Sequence, residues 1–221
     1  MLNKKYQSIS TAIASYDYTD VQEGTGVNIY YGFSEKDTSG ETYALSDQAF
    51  FSYTIDENAY IITNGDRFYD GIKKEYNFDL TAFNMPKRVR GTARVQNAFD
   101  LTGRDAEDSQ TYIIYRIYHV DADGTETELG AATTETLTAA SAVDTIVPVN
   151  IEIPLTSKSF KKGEILRGTM EIYASGTGTG TVGDTFVCFD PQNRDGDKFT
   201  PSTDNTIISR LEFHIPFDLD L

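Results

Sequence analysis

Ile207-Ile208-Ser209-Arg210-Leu211-Glu212-Phe213-His214-Ile215-Pro216-Phe217 decides the fold class. Ile207, Ser209, Leu211, Phe213, Ile215 and Phe217 fall on one side of a two-residue repeat, and Ile208, Arg210, Glu212 and His214 fall on the other. Alternate side chains of an extended chain point to opposite faces, so this stretch reads as a strand with one buried face. A helix would space its apolar residues by three and four instead.

The same period recurs along the chain. Val89, Gly91, Ala93 and Val95 face one way, while Arg88, Arg90, Thr92, Arg94 and Gln96 face the other. That pattern is a half-buried strand with a basic outer face. Val147, Val149, Ile151 and Ile153 alternate with Pro148, Asn150, Glu152 and Pro154, and two prolines in one strand place it at a sheet edge or a strand end. Leu166, Gly168, Met170, Ile172 and Ala174 oppose Arg167, Thr169, Glu171 and Tyr173. Tyr112 to Val120 is apolar on both faces, which suits a central strand or one covered by a neighbouring subunit.

Turn residues separate these runs. Asp121-Ala122-Asp123-Gly124 predicts a hairpin with Gly124 at positive φ, and Lys161-Lys162-Gly163-Glu164 predicts a second tight turn. Glu23 to Gly26, Thr38 to Gly40 and Asn64 to Asp66 carry similar signals. Ala131 to Thr145 and Ser175 to Gly183 read as loops, the second a Gly/Thr repeat. Helix is scarce. Tyr6 to Tyr16 places Ile9, Ala12, Ile13 and Tyr16 at helical spacing, but its Ser and Thr content fits an extended arm equally. The expected architecture is all-β: an antiparallel β-sandwich of the jelly-roll kind over residues 22–221, preceded by an N-terminal arm or short helix over residues 1–21.

Composition narrows the function classes. The chain has 221 residues with 14 Tyr and 13 Phe, enough apolar bulk for a real core. Its net charge is -15, which repels phosphate backbones and anionic lipid, so neither nucleic acid nor membrane is an expected partner. One cysteine, Cys188, excludes an intrachain disulfide. The start, Met1 to Ser8, has charge but no apolar stretch of the signal-peptide kind, so synthesis in a cytoplasm is expected.

Two constellations could carry function. Asp190, Asn193, Asp195 and Asp197 crowd one turn beside Gly196. Oxygen ligands at this spacing can hold calcium, and the same residue types also suit a plain acidic turn. Calcium is the one cofactor the sequence suggests. Lys87, Arg88, Arg90 and Arg94 form a basic stripe in an acidic protein, either a docking face for an acidic partner surface or a solvated strand face whose charges balance nearby carboxylates. Asp121 and Asp123 raise the calcium question more weakly, because the hairpin explains them. His119 and His214 each sit in strand alternation, with no nucleophile motif beside them. No catalytic residue is assigned, and the expectation is a protein that is not an enzyme.

Three stretches resemble virion structural proteins of tailed bacteriophages: Ala14 to Val27, Phe160 to Tyr173, and Ser209 to Leu221. The likeness lies in Thr/Gly/Tyr-rich strands and an apolar final strand. The resemblance implies a jelly-roll or related sandwich on a capsid or tail, often trimeric, with other virion proteins as partners. A capsid-associated auxiliary or decoration component is the leading expectation. A carbohydrate- or receptor-binding module of a tail fibre, using Tyr-rich loops, is the alternative.

Overall fold

A computed structural model describes residues 14–15, 25–37, 40–47, 61–62, 73–102, 109–139, 144–176, 184–188 and 211–218. Where its residues are described, the two-residue repeat becomes strand, and the described residues contain no helix; Ile207 to Arg210 of the opening stretch lie outside them. Among the described residues thirteen strands form, in chain order: β1 (Ala14–Ser15), β2 (Thr25–Asp37), β3 (Gly40–Ser46), β4 (Ile61–Ile62), β5 (Lys73–Leu80), β6 (Lys87–Thr102), β7 (Ser109–Val120), β8 (Glu126–Thr133), β9 (Leu137–Ala139), β10 (Asp144–Phe160), β11 (Ile165–Gly176), β12 (Asp184–Cys188) and β13 (Glu212–Asp218).

They join in one sheet, ordered β4-β12-β6-β13-β2-β3-β5-β11-β7-β8, with β10 beside β6, β9 beside β7 and β1 beside β2. The sheet is all-β and sandwich-like, as expected. It is mixed, however, because β3 runs parallel to β5 at Ala44–Asp79 and Leu45–Leu80. A parallel pair needs a long connection instead of a hairpin, and residues 47–72 supply its length.

Strand β6 anchors the architecture. One edge pairs with β10 along its whole length; the other pairs with β13 in its first half and with β12 in its second. Gly91 adopts φ +102°, and both neighbouring ladders slip beside it, between Leu155 and Lys158 on β10 and between His214 and Phe217 on β13. Gly91 therefore forms an exposed irregularity, instead of the inward position that the period assigns it.

The sheet curls until β8 meets β10. A Cβ on Gly130 of β8 would strike the carbonyl oxygen of Pro154 on β10. Pro148 and Pro154 share one parity along β10 and lack N–H groups. They leave the edge away from β6 without donors there, so this seam closes by packing and not by a ladder. The edge placement read from the two prolines is what the structure shows.

Side chains fill the interior. Phe78, Val89, Ala93, Val95, Phe99, Ile113, Tyr115, Ile117, Ile153, Phe160, Leu166, Met170, Ile172, Leu211, Phe213 and Ile215 are fully buried. Each large apolar side chain buried this way contributes about 1.5–3 kcal/mol. Phe213 lies across the interior over Gly168, where an added Cβ would come within 2.7 Å of its ring, and Leu211 meets Gly32 equally closely. Phe213 thus fills space across the interior that Gly168 leaves, while Leu211 fills space left by Gly32 on the adjacent strand. The Tyr115 hydroxyl sits in this core, and burial pushes its pKa up.

The turns at Asp121 to Gly124 and Lys161 to Glu164 form as read; Thr25, Gly26 and Gly40 are strand instead, and the rest of the Glu23 to Gly26, Thr38 to Gly40 and Asn64 to Asp66 readings lies outside the described residues. Gly124 has φ +87° in the β7–β8 hairpin, and Gly163 has φ +92° in the β10–β11 turn. The Ala131–Thr145 loop expectation needs correction, since Ala131 to Thr133 ends β8, Leu137 to Ala139 forms β9 and β10 starts at Asp144. β-branched threonines extend readily once neighbouring strands offer hydrogen bonds. At the N-terminal segment, Ala14 and Ser15 are extended and pair with Asn28 and Val27 of β2, so the helical reading fails at that point. The rest of residues 1–21 lies outside the described residues.

Candidate functional site

Arg88, Arg90 and Arg94 lie on the outer face of β6, as the alternation requires, whereas Lys87 has the parity of the buried Val89 and so does not share that face. The arginines are matched within the chain. Arg90 pairs with Asp218 of β13, Arg88 donates to Ser157 Oγ at 3.0 Å and lies 3.7 Å from Asp218, and Arg94 donates to Glu152 of β10 at 3.1 Å. Lys87 sits over the Phe217 ring, 5.6 Å from its centre. The arginine side chains stay roughly half exposed, at 41–55%. Exposed pairs of this kind are worth about 0.2–1 kcal/mol each, so a partner's carboxylates could exchange with them at little cost.

The outer face of β5, β11, β7 and β8 is built differently. Arg116 bridges Glu171 at 3.1 Å and Glu128 at 2.8 Å, and its guanidinium pKa rises through the Glu171 hydrogen bond first. Arg167 donates to both oxygens of Asp79, at 2.5 and 2.8 Å, and also reaches Glu126. Tyr173 donates to Glu171 at 3.2 Å. Tyr112 stacks on Tyr173 with ring centres 4.8 Å apart and planes 2° from parallel. Tyr112 is also one of the exposed large apolar residues.

A third cluster lies at the end of the sheet where β7, the β7–β8 hairpin and the β10–β11 turn meet. His119 Nε2 is 2.7 Å from Glu164 Oε2 and 3.7 Å from Asp121 Oδ1. The same Glu164 oxygen accepts the Lys161 backbone N–H at 2.7 Å. These two hydrogen bonds, that from His119 first, hold the Glu164 carboxyl below its ordinary value of about 4.5. The ring of His119 meets Phe160 edge-on at 4.8 Å. The His119 side chain is 1% exposed and that of Glu164 7%, whereas Asp121 is 39% exposed and faces outward.

Backbone bonds hold this end together. Gly163 donates to the Phe83 carbonyl at 2.8 Å, and Phe83 donates back to the Glu164 carbonyl at 3.0 Å. Asp121 donates to Thr125 at 2.9 Å, and Asp123 Oδ1 accepts the Thr125 N–H at 2.9 Å. Asp123 is therefore occupied in shaping the hairpin, which agrees with the turn reading.

No protein-family model matches the chain, and no curated protein matches it. Solved structures do. A CocE/NonD family hydrolase from Staphylococcus aureus is 12% identical, with a TM-score of 0.39, over 85% of this chain and 41% of that one. An aminopeptidase from a marine sediment Thaumarchaeota archaeon is 14% identical, with a TM-score of 0.42, over 68% and 28%. The T13 viral particle of infectious bursal disease virus gives 12% identity and a TM-score of 0.36, over 88% and 35%. The chain spans less than half the length of each of these. Hydrolases and a viral particle appear together, and likeness at this level carries no argument for either.

The acidic turn of Asp190, Asn193, Asp195 and Asp197 lies outside the described residues. His119 and Asp121 were visible in the sequence as strand and hairpin residues, and the structure brings them to Glu164. Glu164 was visible only as the end of a tight turn. A signal did exist: His119 follows Ile113, Tyr115 and Ile117 at the same parity, so a buried polar group there needs a partner.

Proposed function

We propose that this chain is a capsid-associated structural component of a virion, an auxiliary or decoration protein that works through protein–protein assembly and not catalysis. The observation that supports it most is the place of β1. Strand β3 pairs β2 only from Tyr31 onward, and the N-terminal segment pairs the same side lower down, at Val27 and Asn28. An N-terminal arm that adds a strand to a sheet edge can do so on its own subunit or on a neighbour. The filled interior agrees with this reading, because binding then falls to edges and outer faces. The stripe of Lys87, Arg88, Arg90 and Arg94 is a second contact in this reading, docking onto a carboxylate-rich partner.

The test is the native mass of the full chain, compared with a variant lacking residues 1–20. Light scattering should give a trimer, three times the 24.6 kDa of the chain, and the truncated variant should fall to monomer with its β-sheet circular dichroism intact. A monomeric full chain, or an unchanged oligomer after truncation, would overturn the reading.

One observation favours a second reading, a carbohydrate- or receptor-binding module of a tail fibre. The exposed Tyr112–Tyr173 stack offers an aromatic surface of the kind that packs on sugar rings. Binding on a glycan array that is lost in Tyr112→Ala would decide for it.

A further inference from the structure

We propose that His119, Asp121 and Glu164 form a binding site for one divalent transition-metal ion, with zinc as the best-suited ion. One ligand atom from each residue lies within 4.8 Å of the others, close enough to converge on a single ion. One imidazole nitrogen and two carboxylates suit zinc, nickel or manganese. Calcium seeks six to eight oxygens and has no use for the nitrogen. The site is independent of the assembly reading and of the acidic turn at Asp190 to Asp197.

The fold prepares two of the three ligands. His119 stands at the end of β7 with its ring held against Phe160. Glu164 closes a turn whose backbone is bonded to Lys161 and to Phe83. Both side chains are already buried, and their mutual hydrogen bond must open for an ion to enter between them. Asp121 sits two residues past His119 on the solvent side, at the mouth of the cluster. That opening leaves room for water as a further ligand, the usual arrangement for a three-residue site.

Proton accounting sets the expected strength. His119 Nδ1 is buried and has no hydrogen-bond partner among the described residues. A buried N–H without an acceptor is costly, so the ring proton sits on Nε2 and is donated to Glu164 Oε2. An ion taking the Nε2 lone pair sends that proton to Nδ1, where no acceptor waits. Histidine ligands ordinarily donate that second N–H, and losing such a partner weakens metal binding by about 10–100-fold. The site should therefore bind more weakly than a three-ligand site whose second nitrogen is satisfied.

The experiment uses the full chain, stripped with chelator and titrated with zinc chloride by calorimetry and by thermal unfolding. One ion per chain and a raised Tm are expected. Asp121→Asn, which changes an exposed residue and should fold normally, should weaken zinc at least tenfold. Glu164→Gln should do the same, and His214→Ala should leave binding unchanged. Cobalt in place of zinc should give a visible absorption band that Asp121→Asn alters. Absence of heat and of any Tm shift at millimolar zinc would overturn the proposal. So would zinc binding that is unchanged in Asp121→Asn, or lost in His214→Ala.

Discussion

The chain has two histidines, and each lies beside a glutamate. His119 and Glu164 are 2.7 Å apart at the end of the sheet, with side chains 1% and 7% exposed. His214 and Glu212 are 3.0 Å apart on the outer side of β13, with side chains 21% and 15% exposed. The chemistry is the same and the surroundings differ. The first pair joins residues 45 positions apart and ties β7 to the β10–β11 turn, while the second joins residues two apart on one strand. Only the first holds a tertiary junction together, and only the first would leave a buried charge if one partner were removed.

The sharpest break of the comparison is to delete each imidazole. His119→Ala strands the Glu164 carboxylate and opens a hole beside Phe160, so urea unfolding should show a loss of about 3–5 kcal/mol. His214→Ala should cost less, about 0.5–1.5 kcal/mol, the range of an ordinary hydrogen bond, because its pair with Glu212 is only partly buried. Equal losses would mean that burial does not set the difference.

A smaller effect is expected from the glutamates. Glu164→Gln keeps the shape but weakens the bonds from His119 and Lys161, at a cost of about 1–3 kcal/mol. Glu212→Gln should cost less than Glu164→Gln, because Glu212 is the more exposed of the two.

Acid sharpens the same contrast. The folded Glu164 carboxyl titrates below its ordinary value of about 4.5, chiefly through the His119 hydrogen bond. Its stabilising contribution is therefore complete above that ordinary value and is lost as pH falls through the lowered one. In chelator, the acid limb of the wild-type stability curve should be shallower in Glu164→Gln, as read by circular dichroism against pH.

The smallest effect concerns the stripe. A double-mutant cycle on Arg94 and Glu152 should give a coupling of about 0.2–1 kcal/mol that shrinks in high salt. A larger, salt-insensitive coupling would place this face with the buried pair and not with the surface.

Much of this was legible from residue order. Parity along Ile113, Tyr115, Ile117 and His119 turns the imidazole inward, and parity along Glu212 and His214 turns the second pair outward. Gly124 and Gly163 marked the two turns beside the buried cluster. Nothing local linked Glu164 to His119, because periodicity reports the face of a strand and not its neighbour. The pairing of Asp218 with Arg90, 128 residues away, was hidden for the same reason. The loop reading of Ala131 to Thr145 failed because a short strand such as β9 depends on the edge of β7 that receives it.

The order of residues alone determined that the chain is made of strands, which side chains each strand turns inward, and where tight turns interrupt them. Those are properties of a few consecutive residues and their allowed backbone angles. Tertiary structure alone decided which strands became neighbours, that β3 and β5 run parallel, that β8 meets β10 across a seam of glycine and proline, and that a histidine, an aspartate and a glutamate converge at one end. Those outcomes come from closing a curved sheet around a filled interior, where the fit of distant side chains, such as Phe213 over Gly168, selects the arrangement.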